Sequence, residues 1–320
     1  MSVSFPLHPM FRRAVLCRAD AIMTVTSPPS RGAAMPIDPD IAVGADLGES
    51  TISWTADDVL LYHLALGAGA EPTDERELRY TYENDLRVLP TFATVAPRRR
   101  TFEPPAVTFP GIEVDLARML YGAESVEVHR PIPTEGEAVC RARITDVLDK
   151  GTAAVIVRET EAADPAGTVL WTSRSALFAR GEGGFGGPRG RTRRVSPPDT
   201  GPDVVVDTPT LPQQALLYRL CGDRNPLHVD PAFARSAGFD APILHGLATY
   251  GLVAKAVTDA VLDADVTRVR AWSATFAGVV RPGETLRTRV WRDDDRLLVT
   301  TTVPERAEAP VLADAVLYPR

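Results

Sequence analysis

An acid and an imidazole stand five residues apart in Gly222-Asp223-Arg224-Asn225-Pro226-Leu227-His228. Both side chains can accept or donate protons near neutral pH, so together they can hold a water and strip it of a proton. Which is formally base and which acid is not fixed by residue type, since such a pair can titrate as a unit. Asp223 alone would read as a turn former, and His228 alone as a satisfied core histidine. A shaped loop could aim both at one point.

Neither a helix nor a strand runs comfortably through this segment. Pro226 removes a backbone donor and pushes Asn225 out of helical geometry. Gly222 permits a tight exit from the apolar run before it. The stretch therefore reads as a shaped loop, with Asn225 holding it rather than reacting. Asp230-Pro231 reads as the start of a short helix, with Pro at its first position. Downstream, Ile243, Leu244, Leu247, Tyr250, Gly251, Val253, Ala254, Val257, Ala260 and Val261 are apolar nearly all round a helix. That pattern predicts a helix enclosed by a sheet. Gly246 stands at its start, where backbone N–H groups lack partners and the helix dipole is positive. His245, at the same entrance, reads as a structural hydrogen-bonding residue; His63 and His129 have no motif around them.

The chain repeats weakly. Asp57–Leu64 resembles Gln213–Leu220, and each run follows a Thr (Thr55, Thr210) able to cap a helix. Later in each half a Pro/Gly/Glu turn, Pro133–Glu137 and Pro282–Glu284, leads into alternating strands. The order of these matches favours a duplicated α+β unit of about 140 residues, ordinary for one domain. Between the halves, Gly181–Pro198 is rich in Gly, Pro and Arg and reads as a flexible linker. It contains Gly181, Gly183 and Gly186 in G-x-G-x-x-G spacing. Pro188, Gly190, Pro197 and Pro198 follow, so no helix opens there and the dinucleotide reading fails.

The 320 residues allow two modest domains. A net charge of −7 disfavours nucleic acid as a partner. Any bound anion must be met locally, and Lys150 and Lys255 are the only lysines. Cys17, Cys140 and Cys221 are too scattered for a disulfide framework or a zinc site, which suits a reducing cytoplasm. No apolar run is long enough to span a membrane. No acid or imidazole set has a recognised metal-ligand spacing, so neither metal nor cofactor is expected. Residues 1–35 read as a disordered extension or an upstream mis-start, Met35-Pro36 being a natural alternative start.

From Gly222 to Leu247 the chain resembles the hydratase 2 motif of the MaoC-like dehydratases, the (R)-specific enoyl-CoA hydratases. The resemblance rests on Gly222-Asp223-x-Asn225-Pro226-Leu227-His228, Asp230-Pro231-x-Phe233-Ala234 and Gly238-Phe239-x-x-Pro242-Ile243-x-His245-Gly246-Leu247. Upstream, Tyr80-Thr-Tyr82-Glu83, Leu89-Pro90-Thr91-Phe92, Val147–Gly151 and Gly183–Gly187 look like the tandem form, similar to the hydratase domain of peroxisomal multifunctional enzyme type 2. The resemblance covers roughly residues 40 to 318.

The resemblance implies an α+β double hotdog, two antiparallel curved sheets, each wrapping a central helix, joined side by side. It places a hotdog without a catalytic motif at 36–180, the linker at 181–200 and the catalytic hotdog at 201–320. The first-half helix is expected near Ile112–Tyr121. It implies cofactor-free syn hydration of trans-2-enoyl-CoA to (R)-3-hydroxyacyl-CoA in fatty-acid or sterol side-chain metabolism, a hydro-lyase reaction. Asp223 and His228 would be the catalytic pair, with the Gly246 amide as oxyanion donor and Asn225 in support. Substrate contacts would come from Tyr121, Gly122, Lys150, Arg224, Pro226, Leu227 and Phe276. Tyr121 stands where relatives often have His, so its side-chain contact differs from theirs. Glu83 matches a family carboxylate and reads as structural. The first half lacks any Gly-Asp-x-Asn-Pro-x-His, and the run Ala65–Ala70 after Leu64 holds no acid or imidazole, so one site per chain follows, the vacated half widening the tunnel for a bulky tail. The expected partner is acyl-CoA, with neither nucleic acid nor membrane, and the expected assembly a homodimer. The rivals are a hotdog acyl-CoA thioesterase, against which Asn225-Pro226-x-His228 argues, and a non-catalytic acyl-CoA-binding subunit, which would have no need of the Asp/His pair.

Overall fold

Among the described residues ten antiparallel strands form one continuous sheet. The computed structural model describes residues 37–71, 73–98, 108–190 and 194–320, so the expectation for residues 1–35 lies outside the described residues. The first half supplies β1 (Asp46–Trp54), β2 (Met119–Val128), β3 (Gly136–Asp149), β4 (Ala153–Ala163) and β5 (Val169–Arg180). The second supplies β6 (Val204–Pro209), β7 (Val269–Phe276), β8 (Thr285–Asp293), β9 (Arg296–Val303) and β10 (Ala309–Pro319). Their order is β1-β3-β4-β5-β2-β7-β10-β9-β8-β6. Read inward from either edge, both halves have the same order, which is the duplication suspected from the repeated sequence. The seam is β2 against β7, where Ala123 pairs with Thr275 and Glu127 with Ala271.

Among the described residues six α-helices accompany the sheet: α1 (Pro39–Ala42), α2 (Ala56–Ala65), α3 (Leu78–Thr81), α4 (Gln214–Tyr218), α5 (Pro231–Ser236) and α6 (Gly246–Val261). Thr55 precedes α2 as read from the sequence, its amide and hydroxyl both donating to Asp58 Oδ2 at 2.8 and 2.7 Å. Thr210 does not cap α4, which starts after Gln213. Its hydroxyl instead donates to the Glu284 carbonyl at 2.8 Å and accepts from Gly283 N–H at 2.9 Å, tying β6 to the turn before β8.

Helix α6 is the buried helix that the apolar run predicts. Its Tyr250 hydroxyl donates to the Trp272 carbonyl on β7 at 2.7 Å. Helix α2 crosses it closely at Gly251, where a Cβ would come within 2.8 Å of Tyr62 Oη and Leu66 Cδ1. Lys255 on α6, almost fully buried, binds Glu77 at 2.7 Å and Asp259 at 2.8 Å. A buried cation held by two carboxylates fixes the helix to the segment before α3.

Among its described residues the first half lacks the equivalent helix. Ile112–Tyr121 holds only a 3-10 turn, Leu116–Arg118, and then enters β2 at Met119. Pro110-Gly111 and Asp115 break any helical run there, Asp115 accepting the Ala117 N–H at 2.9 Å. The linker also differs from the flexible crossover expected. Asp149 accepts N–H bonds from Gly151, Gly184 and Gly186 at 2.7, 2.9 and 2.8 Å. These amides hold its carboxyl below the usual range. A Cβ at Gly183 would meet the Gly151 carbonyl oxygen at 2.5 Å, so the strap lies against the β3–β4 hairpin. Within this glycine-rich run the Gly184 and Gly186 amides are thus already satisfied by an internal anion. No helix among the described residues is long and apolar enough to cross a membrane.

Candidate active site

The motif loop leaves α4 through a 3-10 turn, Arg219–Cys221, that ends at Gly222 with φ 109. Only glycine enters that left-handed conformation without a steric cost. Asp223 follows, half-buried, and its Oδ1 accepts the Asn225 N–H at 3.2 Å. Asn225 is buried, and its Oδ1 accepts the Leu227 N–H at 3.0 Å, capping the Pro226–His228 turn. Asp230 caps α5 by accepting the Ala232 N–H at 2.7 Å, with Pro231 first in the helix as read. The loop is therefore locked by its own Asx turns before any ligand arrives.

His228 is buried, and Nδ1 lies 2.8 Å from the Ile243 carbonyl. A carbonyl only accepts, so Nδ1 carries the hydrogen and Nε2 keeps the lone pair. Burial holds the His228 pKa below the ordinary imidazole value, opposed by the Asp223 charge. The ring stacks on His245, with centroids 3.7 Å apart and planes at 30°. His245 is fully buried; its Nε2–H donates to the Asp223 carbonyl at 3.3 Å, and its pKa falls to about 3, chiefly through burial. It is thus a neutral, structural residue that positions both members of the pair.

Asp223, His228 and His245 each offer a polar atom within 4.8 Å of the others. The sequence spacing gave no sign of this cluster. Each ring donates one N–H to a carbonyl and keeps one lone pair, but the rings lie face to face with planes at 30°, so those lone pairs run side by side and do not converge on one ion. A separation of this size between Asp223 and His228 suits one bridging water.

Gly246 is the first residue of α6, so its N–H has no acceptor within the helix. A Cβ there would sit 3.3 Å from Phe276 Cε1, which shows how closely the β7 ring approaches this amide. Opposite, a bulge in β2 falls between Tyr121 and Ala123. At the bulge, a Cβ on Gly122 would meet the Ala176 carbonyl oxygen at 3.1 Å. Bulges re-aim side chains beside sites; here Tyr121 meets Phe276 edge to face at 6.3 Å.

The pair, the Gly246 amide and the Tyr121–Phe276 contact open onto one cavity of about 840 Å³. Asp223, Asn225, His228, Gly246, Tyr121, Gly122, Lys150, Leu227 and Phe276 line it, while Arg224 and Pro226 are not among its walls. Pro226 shapes the turn by opening the 3-10 helix that Asn225 caps. Lys150 Nζ donates to the Arg189 carbonyl, tying the cavity rim to the strap. Glu83 is exposed in a 3-10 turn, away from the cavity. His63 is structural: Nδ1 donates to the Tyr80 carbonyl at 2.9 Å and Nε2 accepts from Leu89 N–H at 3.2 Å. His129 is exposed, 3.0 Å from Thr172 Oγ1. Thr249 and Arg158 also line the cavity and were not foreseen.

A continuous double-hotdog sheet, one buried helix and an Asp/His pair at its N-terminus define a class that known proteins share. Residues 193–309 match the MaoC like domain, and residues 52–181 match the MFE-2 hydratase 2 N-terminal domain. The chain is 52% identical over 285 residues to an enoyl-CoA hydratase of Mycobacterium tuberculosis, ChsH3, covering 89% of this chain and 100% of that one. It is 38% identical to peroxisomal multifunctional enzyme type 2 of Mus musculus over 84% of this chain, spanning 37% of that longer protein. A MaoC-like dehydratase structure from Phytophthora Capsici superposes with a TM-score of 0.80 at 29% identity, covering 89% of this chain and 98% of that one. The protein belongs to the MaoC-like dehydratases, in the tandem hydratase 2 form.

Proposed function

We propose that this protein is a hydro-lyase that adds water across trans-2-enoyl-CoA to give (R)-3-hydroxyacyl-CoA, reversibly, in lipid metabolism. The observation that carries the reading is the pairing of Asp223 and His228 within 4.8 Å on the wall of a cavity beside a helix N-terminus. A water between the Asp223 carboxylate and His228 Nε2 loses a proton as its oxygen bonds to C3. A proton from the same pair reaches C2. Both bonds form from one face, because both groups stand on one side of the double bond. The thioester oxygen gains negative charge as the C=C is polarised, and the Gly246 N–H at the positive end of α6 receives it. One such donor supplies about 3 kcal/mol of barrier reduction. Asn225 holds the loop, Leu227 and Phe276 wall the cavity, and Lys150 stands at its rim for coenzyme A phosphate.

We assign the two modules to residues 36–180 and 201–320. The first has no acid or imidazole in Ala65–Ala70 after Leu64 and, among the described residues, no central helix, which leaves its interior to the acyl tail. A homodimer is supported by Leu64, Leu216 and Leu220, 47%, 50% and 42% exposed on and beside α2 and α4; sedimentation at two concentrations tests it.

The reaction is tested with trans-2-decenoyl-CoA, following enoyl absorbance and free thiol together. Absorbance lost without thiol is the expected result. Thiol release would mean a thioesterase, and no change would mean a binding subunit. Asp223→Asn and His228→Ala should abolish turnover while circular dichroism stays unchanged; wild-type rates in either would remove the pair from the mechanism.

A further inference from the structure

The first half has a polar row in its interior that the hydration chemistry does not use. Arg158 on β4 pairs in register with Ser175 on β5, and Ser175 with Glu124 on β2. Cross-strand partners share a face of the sheet. Glu124 is 3% exposed, and its Oε2 accepts from Ser175 Oγ at 2.7 Å. Val126, two residues along β2, belongs to the core that packs around α6, so the row faces inward. It lies between two apolar clusters, one around Trp54, Phe92 and Trp171, the other around Ile156, Leu177 and Met119. The second half has α6 in the corresponding interior.

Arg158 is the member that reaches the cavity wall. Its Nε is buried without a hydrogen-bond partner, and no ion pair to it is found among the described residues. Glu124 does not neutralise it: burial pushes that carboxyl up to about 8, with Ser175 and Arg158 only partly opposing the rise. A guanidinium left without an anion in a mostly apolar cavity is costly. Its fork of donors suits an oxygen acceptor brought in by a ligand.

We propose that Arg158, backed by Ser175 and Glu124, is a subsite for an oxygen acceptor, a carboxylate or hydroxyl, carried on the acyl chain far from the thioester. The inference rests on the reading that the cavity takes acyl-CoA. β4 lies three strand spacings from β7, about 14 Å, the reach of an extended chain of about ten carbons. The preferred substrate class is therefore an oxygenated acyl-CoA of medium length or longer, with Arg158 setting the preference.

The test compares trans-2-decenoyl-CoA with its 10-carboxylate and 10-hydroxy counterparts, in wild type and Arg158→Met. Wild type should show kcat/KM about tenfold higher for at least one oxygenated chain, a typical gain for one charge-assisted hydrogen bond. The carboxylate and hydroxyl arms tell which oxygen is read. Arg158→Met should erase the ratio and leave or raise the rate on the plain chain. An unchanged ratio in Arg158→Met, or a wild-type preference for the plain chain over both others, overturns the subsite. So does an equal loss of affinity for coenzyme A lacking an acyl group, since Arg158 would then read phosphate. Calorimetric binding of saturated decanoyl-CoA and its ω-carboxylate asks the same question without turnover. It separates failure of the subsite from failure of the hydratase reading.

Discussion

Replacing Glu124 with Gln should stabilise the protein increasingly as pH rises. Glu124 is buried in the sheet interior, and desolvation raises its pKa from 4.5 to about 8. In the unfolded chain it ionises near the ordinary value; in the folded chain it stays protonated until about pH 8. The folded state thus binds one more proton throughout that window. The raised pKa contributes stability that is complete below 4.5 and lost as pH climbs to 8. Each pH unit removes about 1.4 kcal/mol. Glutamine keeps the shape, its carbonyl can accept from Ser175 Oγ, and it does not titrate. The unfolding free energy of Glu124→Gln minus that of wild type should therefore rise by roughly 4 kcal/mol between pH 5 and 8. Equilibrium urea unfolding by tryptophan fluorescence at four pH values reads this directly. Buried His63, whose pKa falls to about 4, and His245 titrate alike in both proteins and cancel in the difference. A flat difference would refute the reasoning, because it would mean that Glu124 is ionised in the fold and paired with Arg158. The proposed subsite would then lose its free cation as well.

Gly246→Val should lower kcat by on the order of a hundredfold by pressing its methyls against Phe276 and the oxyanion position; full activity would release the Gly246 amide from that role. Because burial holds His228 neutral below the ordinary imidazole pKa, kcat/KM should stay level from pH 8 through 6.5 and fall only in more acid solution; a break at or above 6.5 in the pH profile would contradict it. Asp149→Ala should free the strap from the β3–β4 hairpin, seen as faster proteolysis within residues 181–190 and a lower urea midpoint. Proteolysis at the wild-type rate would show that the strap is held by other contacts.

The motif loop was legible in sequence because it is built locally. Gly222, Asn225, Pro226 and Asp230 fix their own turns through bonds spanning two or three residues. Helix α6 was legible because its apolar residues run all round it. The missing first-half helix was misread because the symmetry of the duplication outweighed Pro110-Gly111, a local stop signal. The pinned linker was misread because the tie is made by Asp149, an ordinary turn residue until the strap folds back on it. The Glu124–Ser175–Arg158 row was invisible for a related reason. Sheet register joins residues 51 apart along the chain, and nothing in the sequence around Glu124 names Ser175. The stack of His228 on His245 likewise requires two separate turns to meet.

The two halves have the same strand order but fill their interiors differently, and that difference is what makes a site possible. Here the second half keeps the helix and with it Gly246, the Asp223 loop and the stacked histidines. The first half substitutes short 3-10 turns, and Tyr121, Gly122 and Leu177 become cavity wall instead of helix contact. The seam between β2 and β7 then sets Tyr121 against Phe276 at the point where helix end and hollow meet. On the role proposed for Gly246, an Asp/His pair in the first half would have no matching donor, since no described helix there corresponds to α6. The hollow in turn admits polar groups that a helix would have excluded, which is why Arg158 persists inside the sheet.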